Sequence, residues 1–414
     1  MKIFLPAKVK YIINKIHEND YEAFIVGGCV RDSVIGIKPH DYDITTSASP
    51  KKIMEIFKEY KCIETGIDHG TVSVVIDNEI YEITTYRIEG EYKDHRRPEK
   101  VEFTSNLEED LKRRDFTINA MAYNEKNGLI DIFGGKLDIN KKIIKTVGNP
   151  EERFSEDGLR MIRAIRFASK LDFHIEENTL KAIYDNAHII KNISLERITD
   201  EFSKIILSDN PQNLIYLFKT RIFNYLNIST ETDNKKIDKL FKKIIILNKI
   251  EKDLIKRLTI IDYMIKELNI NCKNICNELV YSKKIKKTEK ILLECINKIE
   301  VEKLDKINVK KILNKIDIDL FKIYLDINKV IYDNEKHFNK IIDILHEIEE
   351  NNECYTIKNL KINGNDIISL GYKNERIGQI LNYLLVEVIE NPEINEKNIL
   401  LDKVQRIQKF GTKK

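Results

Sequence analysis

Glycine and proline are almost absent from the middle of this 414-residue chain. Eleven of the 15 glycines precede residue 160, none occurs in residues 159–363, and Pro211 is the only proline of that stretch. Tight turns need these residues and long helices avoid them. The distribution therefore predicts a mixed α/β part over roughly the first 150 residues and a helical remainder.

Long apolar runs are missing as well. No stretch of about 18 uncharged apolar residues occurs, so no membrane span is expected. The N-terminal segment has no apolar run followed by a small-residue cleavage site, so we expect a cytoplasmic protein without a signal peptide. Because the net charge is only +3, any nucleic-acid site must come from local clusters of Lys and Arg.

Cysteine is too sparse and too dispersed for a disulfide framework. The six cysteines are spread along the chain, and only Cys272 and Cys276 are one helical turn apart. No second Cys or His pair completes a metal-binding set. Free thiols are therefore expected.

Two carboxylates stand out in the N-terminal part, in the triplet Asp41-Tyr42-Asp43. The alternating segment 40–45 predicts a strand, on which side chains at i and i+2 share one face. Paired hard carboxylates can hold Mg²⁺. Two such ions would activate a terminal hydroxyl and stabilise a leaving pyrophosphate. Taken alone, the triplet is also typical of exposed acidic turns.

A double-glycine turn precedes these carboxylates. Residues 27–32 (GGCVRD) follow a predicted apolar strand at 22–26 and open a predicted helix. Glycines let a backbone approach a triphosphate closely, and a helix N-terminus favours anions. Arg31 adds a positive charge. The segment is not a Walker loop, because no Gly-Lys-Ser/Thr follows.

Five motifs in a fixed order resemble the class II tRNA nucleotidyltransferases and bacterial poly(A) polymerases of the polymerase β-like superfamily. They are GGCVRD (27–32), HDYDIT (40–45), RRDFTINA (113–120), DIFGG (131–135) and EDGLRMIRAIRFA (156–168). From residue 360, LKINGNDIISLGYKNERIGQILNYLL is similar to the C-terminal unit of CCA-adding enzymes. The resemblance implies an α/β nucleotidyltransferase head with a mixed sheet and helices, followed by all-α neck, body and tail. The expected bounds are 1–146, 147–210, 211–330 and 331–414.

The resemblance also implies roles for particular residues. Asp41 and Asp43 would bind the catalytic Mg²⁺ ions, with Glu82 as a third carboxylate. The other positions would bind the incoming nucleotide: the first two contact it, the next two contact its triphosphate and ribose, and the fifth and sixth read its base, with the last two nearby. They are Gly28, Arg31, Arg114, Asp115, Asp157, Arg160, Arg163 and Arg166.

Base reading by Asp157 and Arg160 has a physical basis. Cytosine and adenine each present an amine donor beside a ring-nitrogen acceptor, whereas uracil and guanine present an oxygen acceptor beside an N–H donor. A carboxylate next to a guanidinium fits the first pair and opposes the second. On one continuous helix, Glu156, Arg160 and Arg163 would share a face, and ordinary helix ion pairs are the alternative interpretation.

The implied activity is template-independent addition of C, C and A to the 3′ end of tRNA from CTP and ATP, with release of pyrophosphate. Residues 89–98 (EGEYKDHRRP) read as a mobile surface loop and resemble the loop of enzymes that can add the terminal A. The alternatives are an enzyme that adds only A, a bacterial poly(A) polymerase, and a non-catalytic RNA-binding protein.

Lysines form two clusters in the helical part. Lys235, Lys239, Lys242 and Lys243 lie off the apolar stripe of a predicted helix, and a second cluster comprises Lys283, Lys284, Lys286 and Lys287. Each cluster is either a solvated helix face or an RNA contact.

Overall fold

The computed structural model describes residues 2–90, 92–93, 97–98, 101–299 and 303–411. The chain forms two compact units, Met1–Asn248 with Met264–Tyr281, and Lys249–Tyr263 with Ser282–Lys414. Within the described residues, no helix has the length and apolarity that crossing a membrane requires. The expected division into head, neck, body and tail stays a prediction.

The strands lie in the N-terminal part of the first unit, where the glycines are concentrated. Their bounds are β1 Ala23–Val26, β2 Ile44–Thr46, β3 Lys61–Gly66, β4 Thr71–Ile76, β5 Glu79–Thr85, β6 Arg87–Glu89, β7 Tyr92–Lys93, β8 Arg97–Pro98, β9 Val101–Phe103, β10 Ala122–Asn124, β11 Gly128–Ile130, β12 Ile143–Ile144 and β13 His174–Ile175.

Seven strands form one mixed sheet in the order β11-β10-β1-β2-β5-β4-β3. The pairing of β2 with β5 is parallel, with Ile44 opposite Ile83, and the other neighbours in this sheet are antiparallel. The β4–β5 hairpin turns through Asp77 and Asn78, which both have positive φ, as a two-residue hairpin turn requires. Residues 70–76 and 79–87 alternate on either side of Asp77-Asn78, which predicts a pair of strands, and the hairpin confirms that prediction.

Along the chain, helices alternate with the strands of the sheet and then make up the rest of the first unit. Their bounds are α1 Ala7–His17, α2 Gly28–Ile35, α3 Pro50–Ile56, α4 Leu107–Lys112, α5 Gly135–Asn140, α6 Pro150–Glu156, α7 Leu159–Leu171, α8 Glu177–Asn186, α9 Leu195–Ile206, α10 Ile215–Lys219, α11 Ile222–Tyr225, α12 Asn234–Ile244, α13 Leu254–Glu267 and α14 Ile275–Glu278. The first ten residues of α13 belong to the second unit.

The second unit is helical in its described residues. Its further helices are α15 Lys283–Lys298, α16 Lys306–Leu313, α17 Ile318–Tyr332, α18 Glu335–Glu350, α19 Gly364–Ser369, α20 Glu375–Glu390 and α21 Lys397–Gly411. Near the C terminus, α20 buries Leu381, Leu384, Leu385 and Val388 in one apolar cluster with residues of α19 and α21. Their i, i+3, i+4 and i+7 spacing is that of an amphipathic helix. The α/β head followed by helical regions confirms the expected fold class.

Three local expectations need correction. The strand expected at 40–45 begins only at Ile44. The helix expected across 156–168 is interrupted, because α6 ends at Glu156 and α7 begins at Leu159. The stretch 89–98 is not a plain loop, since its described parts include the end of β6 and the paired strands β7 and β8. Residues 91 and 94–96 of this stretch lie outside the described residues.

Candidate active site

The double-glycine turn connects β1 directly to α2. Gly27 has φ of 79°, a conformation that residues with a Cβ rarely adopt, and its amide donates to the carbonyl of Met121 at 3.3 Å. A Cβ at Gly27 would lie 3.2 Å from Nη1 of Arg114. The turn therefore leaves backbone and a guanidinium side by side, next to Gly28 at the start of α2.

Asp41 and Asp43 lie in the segment that leads into β2. The carbonyl of Asp43 accepts a hydrogen bond from the amide of Val26 at 3.0 Å, so the backbone is already held against β1 one residue before the strand begins. Continuing the parallel register of Ile44 with Ile83 places Asp43 opposite Glu82 of β5. Both aspartates and Glu82 line one groove of the head.

The charges around Asp43 fit a cation site. Loss of hydration raises the pKa of the Asp43 carboxyl above its usual value, Arg114 opposes that shift, and the carboxylates of Asp41 and Glu82 raise the pKa further. Mutual repulsion of this kind is relieved when a divalent cation binds between carboxylates. Within the described part of the chain, the structure gathers no cluster of three or more potential metal ligands at coordinating distance.

Arg114 is held by a buried carboxylate. Asp110 of α4 accepts from Nη2 of Arg114 at 3.3 Å and from Nε and Nη2 of Arg113 at 3.0 and 2.7 Å. Burial alone would raise the pKa of Asp110, but the two guanidinium groups outweigh it and lower that pKa. Nε of Arg114 is buried and has no hydrogen-bond partner among the described residues. An anion beside Gly27 would meet Nη1 of a guanidinium that Asp110 already orients through Nη2.

A chain of hydrogen bonds joins Arg31 to Arg163. Nη1 of Arg31 donates to Oδ1 of Asn119 at 2.7 Å, and Nδ2 of Asn119 donates to Oδ1 of Asp115 at 3.0 Å. Nε and Nη2 of Arg163 donate to Oδ2 of Asp115 at 3.0 and 2.6 Å. Burial would raise the pKa of Asp115, but Arg163 and Asn119 lower it to about 2. This ionised carboxylate ties α2 and the 113–120 motif to α7.

The ring of Phe167 is contacted by the guanidinium groups of three arginines. The guanidinium carbons of Arg31, Arg163 and Arg166 lie 5.2, 5.5 and 3.9 Å from its ring centre. Cation–π contacts of this kind hold planar guanidinium groups in place. Arg166 also pairs with the buried Glu201 of α9, with Nε and Oε2 2.6 Å apart. Arg166 is thus engaged between α7 and α9 in this structure.

The side chains of Asp157 and Arg160 are each held by another residue. Asp157 lies in the break between α6 and α7, with an extended backbone, and its carboxylate pairs with Arg197 of α9, Nη2 to Oδ2 at 2.9 Å. The guanidinium of Arg160 contacts Glu156 and donates to the carbonyls of Arg153 and Arg113, each at 3.2 Å. The single helix face expected for Glu156, Arg160 and Arg163 is therefore wrong, although the Glu156–Arg160 ion pair forms.

Sequence reasoning missed Asp110, Asn119, Phe167 and Arg197. The spacing of Asp110 to Arg113 and Arg114, at i+3 and i+4 across the end of α4, is the signal that could have revealed the first. Asn119 and Phe167 lie inside quoted motifs but were given no role. Arg197 is 40 residues from Asp157, and no local pattern links the two.

Comparison with known proteins gives a consistent result. Residues 23–145 match the family described as "Poly A polymerase head domain", and residues 172–231 match "Probable RNA and SrmB- binding site of polymerase A". The chain is 38% identical over 403 residues to a CCA-adding enzyme of Ligilactobacillus salivarius, covering 96% of this chain and 95% of that one. It is 52% identical over 209 residues to one of Limosilactobacillus reuteri, about half of each chain (50% and 51%).

Comparison with solved structures gives the same result as comparison of sequences. The fold is similar to that of a Bacillus stearothermophilus CCA-adding enzyme in complex with CTP, with TM-score 0.79 and 28% identity, covering 99% of this chain and 100% of that one. A Thermotoga maritima CCA-adding enzyme complexed with tRNA has the same fold at 22% identity, with TM-score 0.66 and coverage of 99% and 100%.

Proposed function

This chain belongs to the family of CCA-adding enzymes, and we propose that it adds C, C and A to the 3′ end of tRNA from CTP and ATP, releasing pyrophosphate. The observation that carries the proposal is the position of two intact carboxylates, Asp41 and Asp43, in a groove adjoining the Gly27 turn and Arg114. A nucleoside triphosphate and a terminal hydroxyl can meet there.

We propose that the nucleotide's phosphates lie against the Gly27-Gly28 turn. The N-terminus of α2 favours an anion, and the glycine backbone leaves room for close approach. Arg114 supplies a charge-assisted donor from the side, because Asp110 holds Nη2 of its guanidinium and Nη1 lies beside Gly27. Arg31 and Asp115 contribute to binding the same nucleotide. Arg31 holds the side chain of Asn119, and Asp115 holds those of Asn119 and Arg163.

Asp41 and Asp43 offer the hard oxygen donors that Mg²⁺ prefers, and the raised pKa of Asp43 fits a site that gains from a bound cation. Glu82 is the third candidate ligand. When bound, Mg²⁺ would supply activation of the RNA hydroxyl and stabilisation of the leaving pyrophosphate. The carboxylates would hold the metal ions between the nucleotide and the 3′ end of the RNA.

We propose that Asp157 and Arg160 select the base. Asp157 accepts from the exocyclic amine of C or A, and a guanidinium donor faces the ring nitrogen. Arg197 and Glu156 hold the two side chains in position. Arg163 and Arg166 lie beyond them on α7 and fix the wall of the pocket through Asp115 and Glu201. Each mismatched pairing with U or G would cost about 1–3 kcal/mol.

The remaining assignments follow from the substrates. We propose that residues 1–146 and 147–210 hold nucleotide and RNA end, and that 211–330 and 331–414 grip the acceptor stem through phosphates, reading shape. Since tRNA, CTP and ATP are its substrates, we also propose a cytoplasmic location.

The test is incubation with tRNA lacking its last three nucleotides, supplied with CTP, ATP or both, followed by sizing of the products. CTP alone should add two nucleotides, and both together should add three. Addition of A only to tRNA ending in CC would indicate an A-adding enzyme, and a long run of A would indicate a poly(A) polymerase.

The variant Asp41→Ala should lower incorporation from both nucleotides by about a thousandfold or more while leaving tRNA binding intact. Asp68→Ala is the control, since Asp68 is exposed on the head and lies outside the groove. Turnover of Asp41→Ala near that of the unchanged protein would contradict the metal role and favour a non-catalytic RNA-binding protein.

A further inference from the structure

The groove that contains the two aspartates has a second, apolar wall. Its volume is about 1160 Å³, and besides Asp41, Asp43 and Glu82 it is lined by Phe4, Ile37 and Ile80. These three side chains are 82%, 51% and 63% exposed. Large apolar side chains exposed together beside a polar site mark a binding surface more often than an accident of packing.

The backbone holds Phe4 in this exposed position. Ile3 and Leu5 are buried, at 3% and 6% exposure, on either side of it. Alternation along an extended segment turns Phe4 away from the interior that anchors its neighbours. The buried side chains of Ile3 and Leu5 therefore fix the position of the Phe4 ring, which itself contributes little to the core.

The apolar wall is continuous with the carboxylates. Ile80 and Glu82 stand two residues apart on β5 and are both exposed, so they share one face of the sheet. Asp43 lies opposite Glu82 in the register of β2 with β5. Ile37 follows the end of α2, where its amide donates to the carbonyl of Asp32 at 2.8 Å.

Two lysines also line the groove, as do the polar side chains of Ser33, His40, Tyr42, Glu79 and Tyr81. Lys2 and Lys38 are exposed in the groove, and neither forms an ion pair or hydrogen bond with another residue in the part of the chain that the structure describes. No arginine occurs among the described lining residues. The arginines proposed to bind the triphosphate therefore lie outside this groove, and its combination of ring, aliphatic side chains and two lysines suits a base with its phosphate.

We propose that this groove seats the 3′-terminal nucleotide of the RNA substrate, with Phe4 stacking on its base and Lys2 or Lys38 contacting its phosphate. The assignment rests on the proposed function and names where the second substrate lies. Stacking on an aromatic ring tolerates every base. Such tolerance is needed here, because the terminal base of the RNA changes with each nucleotide that is added.

The experiment compares Phe4→Ala with Phe4→Tyr, and uses Leu137→Ala as the matched control. Leu137 is 56% exposed on α5, in the same unit, and does not line the groove. Binding of tRNA lacking CCA is measured by fluorescence anisotropy without nucleotide, and KM for RNA and for CTP by incorporation. Phe4→Ala should weaken RNA binding and raise KM for RNA by about tenfold, with KM for CTP unchanged. Phe4→Tyr and Leu137→Ala should match the unchanged protein.

A second RNA, whose 3′-terminal residue lacks its base, isolates the stacking contact. It should bind the unchanged protein about tenfold more weakly, and Phe4→Ala should weaken its binding no further. Unchanged RNA binding by Phe4→Ala, additive losses with the abasic RNA, or a change in KM for CTP instead would each overturn the assignment. If Phe4-dependent binding is found without any incorporation, the groove assignment stands and the proposed function fails.

Discussion

The arginines around the site are positioned mainly by acidic side chains rather than by one another. Asp110 holds Arg113 and Arg114, Asp115 holds Arg163, and Asp157 is held by Arg197. An arginine fixed in this way loses less side-chain entropy when it meets a phosphate or base, so binding energy goes into recognition. The low pKa of Asp115, about 2, keeps its carboxylate ionised at neutral pH.

Arg197 is the residue whose removal tests base selection most directly. It fixes the Asp157 carboxylate through two contacts, of 2.9 and 3.4 Å, while the backbone amide of Leu159 donates to Oδ1 at 3.1 Å. Without Arg197 the carboxylate can rotate, and the acceptor that we propose for the amine of C or A is no longer fixed. Arg197→Ala should raise misincorporation of UTP relative to CTP by about 5- to 30-fold, measured by single-turnover competition.

Asp157→Ala gives the upper limit for this effect, because it removes the acceptor itself and should admit UTP or GTP more freely. Arg197→Lys keeps the positive charge but lacks the planar guanidinium with its paired donors. Its misincorporation of UTP should therefore lie between that of Arg197→Ala and that of the unchanged protein. If Arg197→Ala slows CTP and UTP equally, Arg197 serves only stability and the base-reading role of Asp157 loses its support.

At the scale of the element, the sequence predicted most of what periodicity and turn chemistry determine. The β4–β5 hairpin followed from alternation around Asp77 and Asn78. The predicted apolar stripe of Ile237, Leu240, Phe241, Ile244 and Leu247 is buried except for Phe241, which is half-buried. Glycine depletion after residue 158 marked the change to a helical fold. The hairpin and helix signals are local, because periodicity and turn residues act over one or two neighbouring elements, whereas glycine depletion is a property of a long stretch of chain.

What the sequence did not predict depends on contacts between distant residues. The break between α6 and α7 occurs where a Cβ at Gly158 would lie 2.9 Å from Cγ2 of Ile189, so packing against a later segment acts at that point. The start of β2 at Ile44 reflects pairing with β1 and β5, not the composition of residues 40–43. Partners such as Arg197 for Asp157 are fixed only once α9 packs against the break.

The ion pair between Arg166 and Glu201 tests how α7 is attached to α9. Glu201 is buried and the Arg166 side chain is 14% exposed, and loss of hydration lowers the pKa of Arg166 although Glu201 opposes the shift. Glu201→Ala would leave the guanidinium buried without its counterion, whereas the pair's own net contribution is small. The free energy of unfolding should fall by about 3 kcal/mol in urea titration.

The matched control for that loss is Glu55→Ala, which removes an exposed ion pair with Lys52 in α3. Exposed helix pairs contribute about 0.3–0.5 kcal/mol. Equal effects of the two substitutions would mean that Arg166 finds another partner and that α7 and α9 are held by apolar packing alone.

At the scale of the whole molecule, a net charge of +3 means that attraction to RNA must come from where the charges lie. The start of α15 carries Lys283, Lys284, Lys286 and Lys287 with no acidic residue in the first turn. Cations there oppose the helix dipole, and like charges at i and i+4 repel. Because cations at this end do not stabilise the helix through its dipole, we propose that the exposed lysines contact the tRNA backbone, the alternative being a solvated helix face.

Replacing the exposed Lys283, Lys284 and Lys287 by alanine should therefore weaken tRNA binding and flatten its salt dependence. Each lost phosphate contact lowers the slope of log K against log salt by about 1, so a total change of about 2–3 is expected from binding measured across a salt series. The control replaces Lys51, Lys58 and Lys61, three exposed lysines of the head, and removes the same net charge. If both triple variants change the slope equally, the effect comes from overall charge and α15 makes no specific phosphate contact. A flattened slope for the α15 variant alone, with CTP binding unchanged, would assign this helix to the RNA.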